Sequence, residues 1–555
     1  MAIIFTVFGF LFLFLDGDAV VINTKQGSLR GLVFQSRNGA EYHAFMGIPF
    51  AKPPIGELRL EPPQPPDTWT GVRDATKPGS HCIQKKDVFF EGLGTDIGQE
   101  DCLYANVYTP SKAKIHQRLP VMVWIHGGAF VMGEGALHDP KYFLDQDIVI
   151  VSFNYRLGAL GFLSAADEVL PGNYGLKDQV AVLKWVQEYI TDFGGDPQRV
   201  TIAGISAGGA SVHLLMHSPL TKGLFHRAIS HSGSALASWA QIPPMVARQK
   251  LHAFGILAGC STESTKVLVD CLKNTSAEDI LRVQNKFYVW DMTPINLFPL
   301  VKEPANVKDA FLREDPWQQK VQQEVPWITG FTSAEGAAFV GRLLTDDAKL
   351  AKELNVNYKR LFPSMFSYQP WVKNSDADRI TESLKQFYFA DKKIGPETIR
   401  ELVELLSDGF FNYECIEAVY RYTNKVYVFY YDYKGEHSMG KLFGIDHSLD
   451  LGVSHGEDSF LFFPITFLPP YNMSSTDQQL SERLVKYWTN FAYTGNPTSD
   501  NSWLPSESKK ELKYFHIHND GISMKTGLQQ NRYSFWKNLG VHPSVTKETF
   551  LSDEL

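Results

Sequence analysis

Short apolar runs alternate along the chain with stretches of helical periodicity. Val121–Ile125 and Ile148–Phe153 are continuous runs rich in Val and Ile, which is typical of strands buried on both faces of a sheet. The stretch Gly175–Ile190 instead repeats its apolar side chains along one helical face, and two glycines follow it. Further strands are predicted at Arg199–Ala203 and Val426–Tyr431. This alternation predicts an α/β fold, with a mostly parallel sheet covered by helices on both faces.

Nothing in the sequence marks a boundary between domains. The 555 residues contain no visible internal repeat and no linker rich in Gly, Ser or Pro. The proline-rich stretch Pro49–Pro66 lies too early to separate two large domains, and it is predicted to be an extended surface loop. We therefore expect one α/β domain over residues 20–551, with the mostly helical residues 240–420 as insertions carried on the sheet.

Composition excludes several classes of protein. With 44% hydrophobic and 13% aromatic residues, the chain is globular rather than disordered. Its net charge is -8 and it has no basic run, so nucleic acid is not an expected partner. Five cysteines are too few for a disulfide-dense scaffold, and an odd number leaves at least one thiol unpaired.

Both ends of the chain carry signals for the secretory pathway. Met1–Leu15 is apolar and uncharged, shorter than the ~20 residues of a membrane span, and followed by the small residues Gly17 and Ala19. Residues 1–19 are therefore predicted to be a cleaved signal peptide, and no membrane span is expected in the mature chain. The last four residues, 552–555, resemble a Lys-Asp-Glu-Leu retrieval signal with Ser in the first position. Secretion and retention in the endoplasmic reticulum lumen both stay open.

Two sequons agree with that compartment. They predict N-glycosylation at Asn274 and Asn472. Such triplets are frequent by chance, so they add to the prediction without carrying it.

The strongest chemical signal is a serine between a strand and a helix. Arg199–Ala203 runs directly into Gly204-Ile205-Ser206-Ala207-Gly208, and a helical stretch follows. This context is typical of a nucleophile elbow, in which small flanking residues allow a tight turn and the serine Oγ stands at a helix N-terminus. The alternative is an ordinary glycine-rich turn. We predict Ser206 to be a nucleophile.

A second glycine-rich segment, His126–Phe130, follows the predicted strand Val121–Ile125. Its glycines allow backbone N–H groups to turn towards the serine and, with the N–H of Ala207, to hold an oxyanion. His126 precedes the serine and is interpreted as a structural residue. Spacing alone does not choose the catalytic base among 16 histidines.

Several motifs follow one another along the chain: Phe45–Ala51, Glu100–Asn106, His126–Phe130, Asn154–Leu157, Gly204–Gly208 and Ser230–Ala235. In this order they resemble the type-B carboxylesterase/lipase family, an α/β-hydrolase group that includes carboxylesterases and cholinesterases. The resemblance runs from residue 27 to beyond residue 500 and is closest to insect carboxylesterases. It implies a large, mostly parallel sheet with helical insertions over the active site, and a serine ester hydrolase that needs no metal or organic cofactor.

The resemblance also implies roles for single residues. Glu335, in Gly-Phe-Thr-Ser-Ala-Glu-Gly, matches the orienting acid, and His455, in Gly-Val-Ser-His-Gly-Glu-Asp, matches the general base. The oxyanion donors match Gly128, Ala129 and Ala207, with Ala129 in place of a glycine that many members have.

Two further positions bear on the substrate. Trp239 matches a position that lines the acyl pocket, and Ile205 stands where many members have Glu before the serine. The resemblance implies that this change makes the pocket wall more apolar and alters substrate preference. The expected substrates are therefore small to medium apolar carboxylic esters.

The family's cysteine pairing implies bridges from Cys82 to Cys102 and from Cys260 to Cys271, which leaves Cys415 free. The segment between Cys82 and Cys102 holds Phe89 and Phe90 but no Trp. Because related cholinesterases use a Trp in this loop to bind the ammonium group, choline esters are not expected as preferred substrates.

Two other functions occur among proteins with this resemblance. Juvenile hormone esterases also lack the Glu before the serine, but they carry Gln there, so we rank that activity below general ester hydrolysis. Adhesion proteins of the same fold have a degraded triad and a membrane anchor, whereas this sequence keeps Ser206, Glu335 and His455.

Overall fold

The computed structural model describes residues 19–85, 97–113, 118–344, 348–438, 449–466, 468, 471–506 and 511–542. The predicted signal peptide, apart from Ala19, and the predicted retrieval tail lie outside the described residues. Ala19 is the first residue of the first strand.

The described residues form one sheet of thirteen strands. In chain order the strands are β1 (Ala19–Asn23), β2 (Ser28–Gln35), β3 (Glu41–Pro49), β4 (Val72–Asp74), β5 (Tyr104–Pro110), β6 (Leu119–Ile125), β7 (Val149–Phe153), β8 (Gly195–Ile205), β9 (Arg227–His231), β10 (Trp327–Thr332), β11 (Val426–Asp432), β12 (Lys513–His518) and β13 (Gly521–Thr526).

The sheet has a parallel centre between antiparallel edges. Its order is β1-β2-β3-β5-β7-β6-β8-β9-β10-β11-β12-β13, with β4 beside β2. Every neighbouring pair from β7 to β12 is parallel. The carboxyl ends of these strands therefore meet at one edge of the sheet, which is where ligands bind in open α/β folds.

The apolar runs form strands because both faces of the sheet are covered. All seven residues of β6 are buried. Successive side chains of a strand point to opposite faces, so Val121 and Val123 join the core on one face while Met122 and Trp124 join the core on the other.

Thirteen α-helices accompany the sheet within the described residues. They are α1 (Gly158–Phe162), α2 (Tyr174–Tyr189), α3 (Ala207–His217), α4 (Pro244–Ala258), α5 (Thr265–Asn274), α6 (Ala277–Gln284), α7 (Ala337–Leu344), α8 (Lys349–Met365), α9 (Asn374–Phe389), α10 (Ile399–Ser407), α11 (Tyr413–Arg421), α12 (Ser475–Thr494) and α13 (Gln530–Leu539). The helices α2 and α3 pack in the core that contains Val121 and Val123, and α12 packs in the core that contains Met122 and Trp124. No helix in this part of the chain is both long and apolar enough to span a membrane.

Two sequence predictions need correction. The helical insertions predicted over residues 240–420 are interrupted by β10, which joins the central sheet between β9 and β11. The run Trp327–Thr332 was missed because it is only six residues long and lies in a stretch expected to be mostly helical. Pro49 is the last residue of β3, and Gly56–Leu58 forms a 3₁₀ turn, but the rest of Pro49–Pro66 is irregular as predicted. The segment is not wholly a surface loop, since Phe50 and Leu60 are buried in the core.

Candidate active site

Ser206 occupies a strained turn between β8 and α3. Its backbone has φ 59° and ψ -123°, a conformation that a non-glycine residue rarely adopts. A Cβ on Gly204 would lie 2.6 Å from the backbone of Gly208, and one on Gly208 would lie 2.0 Å from the carbonyl oxygen of Ile125. The flanking glycines are therefore required by close backbone contact, as expected for a nucleophile elbow.

Backbone hydrogen bonds hold this turn in place. The N–H of Ser206 donates to the carbonyl of His231 at 2.8 Å, and the Ser206 carbonyl accepts from the N–H of Ala210 at 2.9 Å. Ala207 is the first residue of α3, so its N–H has no acceptor within the helix. Its role as an oxyanion donor stays a prediction.

Glu335 and His455 are brought into direct contact. Oε2 of Glu335 lies 2.5 Å from Nδ1 of His455. The carboxyl group is fully buried, and its Oε1 accepts from the backbone N–H of Thr332 at 2.7 Å and from the Ser232 hydroxyl at 2.5 Å. Because Glu335 accepts at this contact, Nδ1 of His455 carries the proton, and Nε2 is then the ring nitrogen that can accept one.

The topology explains why these residues meet. Ser206 follows β8, Glu335 follows β10 and His455 follows β11, all at the carboxyl edge of the parallel strands. The N–H of Ala334 donates to the carbonyl of Val453 at 2.9 Å, which joins the Glu335 loop to the His455 loop. Among the described residues, the Ser206 hydroxyl makes no hydrogen bond to His455. Such bonds are often long in ligand-free enzymes.

The loop His126–Phe130 packs directly on the elbow. A Cβ on Gly127 would lie 2.9 Å from Cβ of Ser206. Gly128 has φ 106°, and a Cβ there would lie 2.1 Å from the carbonyl oxygen of Met132. Ala129 also has a positive φ, 53°. Within the described residues, the N–H groups of Gly128 and Ala129 have no protein acceptor, which leaves both available to a ligand.

His126 is a structural residue, as the sequence interpretation has it. Its ring stacks on Tyr155 with centroids 4.3 Å apart, and its Nδ1 lies 2.8 Å from the carbonyl oxygen of Gly127. Burial lowers the pKa of His126 to about 4. The imidazole is therefore neutral at physiological pH and shapes the loop.

Aromatic rings surround His455. The Phe411 ring stacks on the imidazole with centroids 4.3 Å apart, and the Phe339 ring lies at 6.3 Å. Phe411 belongs to a π-helical turn, Asp408–Asn412, a geometry frequent at functional sites. The carboxyl group of Asp408 anchors this turn by accepting from the Tyr388 hydroxyl at 2.6 Å. Burial raises the pKa of that carboxyl to about 6.

The two residues predicted to line the substrate pocket are both buried. Ile205 belongs to the same apolar cluster as Trp124 and Phe463. The Trp239 ring lies 6.2 Å from the Phe411 ring, and its Nε1–H donates to the carbonyl of Phe410 at 2.8 Å. Their contribution to a pocket stays a prediction.

Sequence reasoning missed three residues next to the predicted triad. Ser232 lies within the motif Ser230–Ala235, but it received no role, because its contact with Glu335 bridges strands that are distant in sequence. Phe339 and Phe411 carry no motif at all. Only the packing of α7 and of the π-helical turn Asp408–Asn412 around His455 brings these rings together.

Both expected disulfides are present. Cys82 is bonded to Cys102, and Cys260 to Cys271. Cys415 is the free cysteine and is buried, and burial raises the pKa of its thiol well above the usual value. The described residues contain no group of three or more His, Cys, Asp or Glu side chains arranged to hold a metal ion.

Comparison with known proteins identifies the family. Residues 18–536 match the carboxylesterase family. The chain belongs to the carboxylesterase family. This membership confirms the predicted class of enzyme, a carboxylic ester hydrolase.

Insect esterases are among the similar proteins. Venom carboxylesterase-6 of Apis mellifera is 35% identical over 534 residues, which cover 94% of this chain and 95% of that protein. Juvenile hormone esterase of Tribolium castaneum is 37% identical over 498 residues, 86% of this chain and 84% of that protein. The crystal structure of juvenile hormone esterase from Manduca sexta, with OTFP covalently attached, superposes with a TM-score of 0.83 at 29% identity, covering 94% of this chain and 99% of that one. These comparisons confirm the predicted α/β-hydrolase fold.

Proposed function

We propose that Ser206, His455 and Glu335 are the catalytic triad of this ester hydrolase, with the N–H groups of Gly128, Ala129 and Ala207 as the oxyanion hole. The contact that carries the proposal is the one between Glu335 and His455, because it fixes the imidazole tautomer that a serine nucleophile requires. The elbow geometry of Ser206 supports the same assignment.

The reaction proceeds through an acyl-enzyme. His455 takes the proton from Ser206 as the serine oxygen attacks the ester carbonyl, and Glu335 stabilises the imidazolium that forms. The backbone N–H donors hold the oxyanion of the tetrahedral intermediate, each typically worth ~10²–10³ in rate. Protonated His455 then gives its proton to the departing alcohol, and water repeats the sequence to release the acid.

Replacing the nucleophile tests this mechanism. Ser206→Ala should lower kcat for ester hydrolysis by ~10⁴–10⁶ while the protein keeps its fold. Circular dichroism checks the fold, and initial rates on a short aliphatic ester measure the activity. Near-normal turnover by the folded variant would refute the assignment.

The proposed substrates are small to medium apolar esters: a xenobiotic, an odorant, a pheromone or a lipid-like ester. The rings of Phe339 and Phe411 beside His455 support an apolar acyl or alcohol group, and Ile205 supplies no carboxylate for a cation. A panel that varies acyl and alcohol length defines the preference. A choline ester should react more slowly than its isosteric neutral ester.

Juvenile hormone esterase activity is the second candidate, because two of the similar proteins carry that name. It ranks second because Ile205 differs from the Gln expected in such enzymes. Hydrolysis of the hormone at low concentration, compared with short aliphatic esters, separates the two functions. A clear preference for the hormone would reverse the ranking.

The secretory pathway is the proposed location. Two disulfide bridges and the exposed sequon residues Asn274 and Asn472 support it. Expression in insect cells should give a chain that loses mass on treatment with an N-glycosidase. Comparing the medium with the cell lysate then distinguishes export from retention.

A further inference from the structure

Two segments meet behind the predicted nucleophile: the end of β9, and the short 3₁₀ helix Glu457–Leu461 that follows His455. His231 is the last residue of β9 and pairs in register with Ile205 on one side and Gly330 on the other. Its carbonyl accepts the N–H of Ser206 at 2.8 Å. The backbone of His231 therefore helps to fix the position of the nucleophile.

The side chain of His231 is held at both ring nitrogens. Nε2 accepts from the indole N–H of Trp488 at 2.9 Å, and Nδ1 lies 2.6 Å from Oδ2 of Asp458. An indole nitrogen can only donate, so the imidazole is neutral with its proton on Nδ1, and Nδ1–H donates to Asp458. In the hydrogen bond between these two side chains, His231 is therefore the donor and Asp458 the acceptor.

Asp458 connects this imidazole to the base. It is fully buried and lies three residues after His455, in the short 3₁₀ helix that follows the turn containing His455. The rings of Phe429 and Phe462 lie 5.1 and 5.3 Å from the His231 ring. A hydrogen bond enclosed by apolar rings is stronger and more rigid than one in water.

We propose that His231 and Asp458 form a positioning pair, which holds the His455 loop at a fixed distance from Ser206. The inference rests on the proposed function. Neither side chain reaches the reacting atoms: His231 acts through its carbonyl on Ser206, and Asp458 acts through the loop that carries His455. Without the bond, the loop shifts relative to the elbow. A misplacement of 1 Å in an active site can cost ~10²-fold in rate.

Paired substitutions at both positions test the proposal. His231→Leu and Asp458→Leu remove the bond, whereas His231→Asn keeps an N–H donor and Asp458→Asn keeps an oxygen acceptor. Activity is measured as kcat per active site titrated with a fluorophosphonate probe. The Leu variants should lose about 10- to 100-fold in kcat with KM little changed, and the Asn variants should recover most of that loss.

Tyr433→Phe is the matched control. It removes a comparable buried bond, from the Tyr433 hydroxyl to Asp477 at 2.6 Å, and should lower Tm without changing kcat. If one Leu variant fails to fold, the kcat values of the other Leu variant and of the two Asn variants still test the proposal. The proposed positioning role would be overturned by a folded Leu variant with wild-type kcat, or by an Asn variant as slow as the Leu variant at the same position. A change confined to KM would overturn it as well. A folded wild-type chain that leaves the probe unreacted would instead overturn the proposed function.

Discussion

Oε2 of Glu335 lies 2.5 Å from Nδ1 of His455, although 120 residues separate them in sequence. The other carboxyl oxygen of Glu335 is occupied by Thr332 and Ser232. The acid is therefore fixed at both oxygens, and it holds the imidazole in one orientation.

Ser232→Ala should slow ester hydrolysis. The substitution removes the hydroxyl donor from Oε1 of Glu335, and a hydrogen bond to a carboxylate is worth about 1.5–3 kcal/mol. We expect kcat to fall by about 10-fold, because part of that energy orients His455 in the transition state. Steady-state kinetics with a short aliphatic ester measures the change. Ser230→Ala is the matched control, because the Ser230 hydroxyl bonds Trp327 and not Glu335. Equal rates for the two variants would contradict the prediction.

Gly128→Ala should slow ester hydrolysis strongly, whereas Ala129→Gly should change it little. A Cβ on Gly128 would lie 2.1 Å from the Met132 carbonyl oxygen, so the loop must shift and kcat should fall by about 10²-fold. Ala129→Gly relieves a positive φ and keeps the N–H donor, so kcat should stay within a few-fold of wild type. Acylation rates of the two variants, measured by stopped flow, test this difference. A Gly128→Ala enzyme as fast as wild type would argue against this loop as the oxyanion hole.

Sequence predicts local features here better than long-range contacts. The strands around Val121 and Val149 were found because an apolar run between two covered faces has one simple explanation. The elbow at Ser206 was found because its two glycines lie only two residues from the serine in the sequence. Glu335 and His455 needed a family resemblance, since their pairing depends on the order of β10 and β11 in the sheet. The strand β10 itself was missed because its apolar run is only six residues long and lies in a stretch expected to be mostly helical. Contacts such as that of Phe411 with His455 depend entirely on packing.

The stability of the protein should depend on pH through Glu414. Burial, with a smaller contribution from the nearby Asp408 carboxyl group, raises the pKa of this carboxyl from 4.5 to about 8. A carboxyl whose folded-state pKa is raised binds its proton more tightly in the folded protein than in the unfolded chain. The free energy of unfolding therefore falls as the pH rises from about 4.5 to 8. Glu414→Gln should therefore raise Tm more at pH 8 than at pH 5. Glu278→Gln, at an exposed position, is the control. A Tm difference that is independent of pH would contradict the prediction.

Cys415 should be unreactive in the folded protein. Four of the five cysteines are in disulfides, and the Cys415 thiol is buried with a raised pKa, so little reactive thiolate is exposed. A thiol reagent should label no cysteine under native conditions and one per chain in denaturant. Rapid labelling of the native protein would show that Cys415 is not buried. Three labelled thiols in denaturant would show that one of the two disulfides is absent.

Covalent labelling tests the central claim most directly. The folded protein is treated with a fluorophosphonate, and the adduct is located by mass spectrometry of the digested chain. We expect one adduct per chain, on Ser206, with loss of ester hydrolysis in proportion to labelling, and no adduct on Ser206→Ala. A folded chain that stays unlabelled, or an adduct on another residue that abolishes activity, would contradict the assignment of Ser206 as the nucleophile.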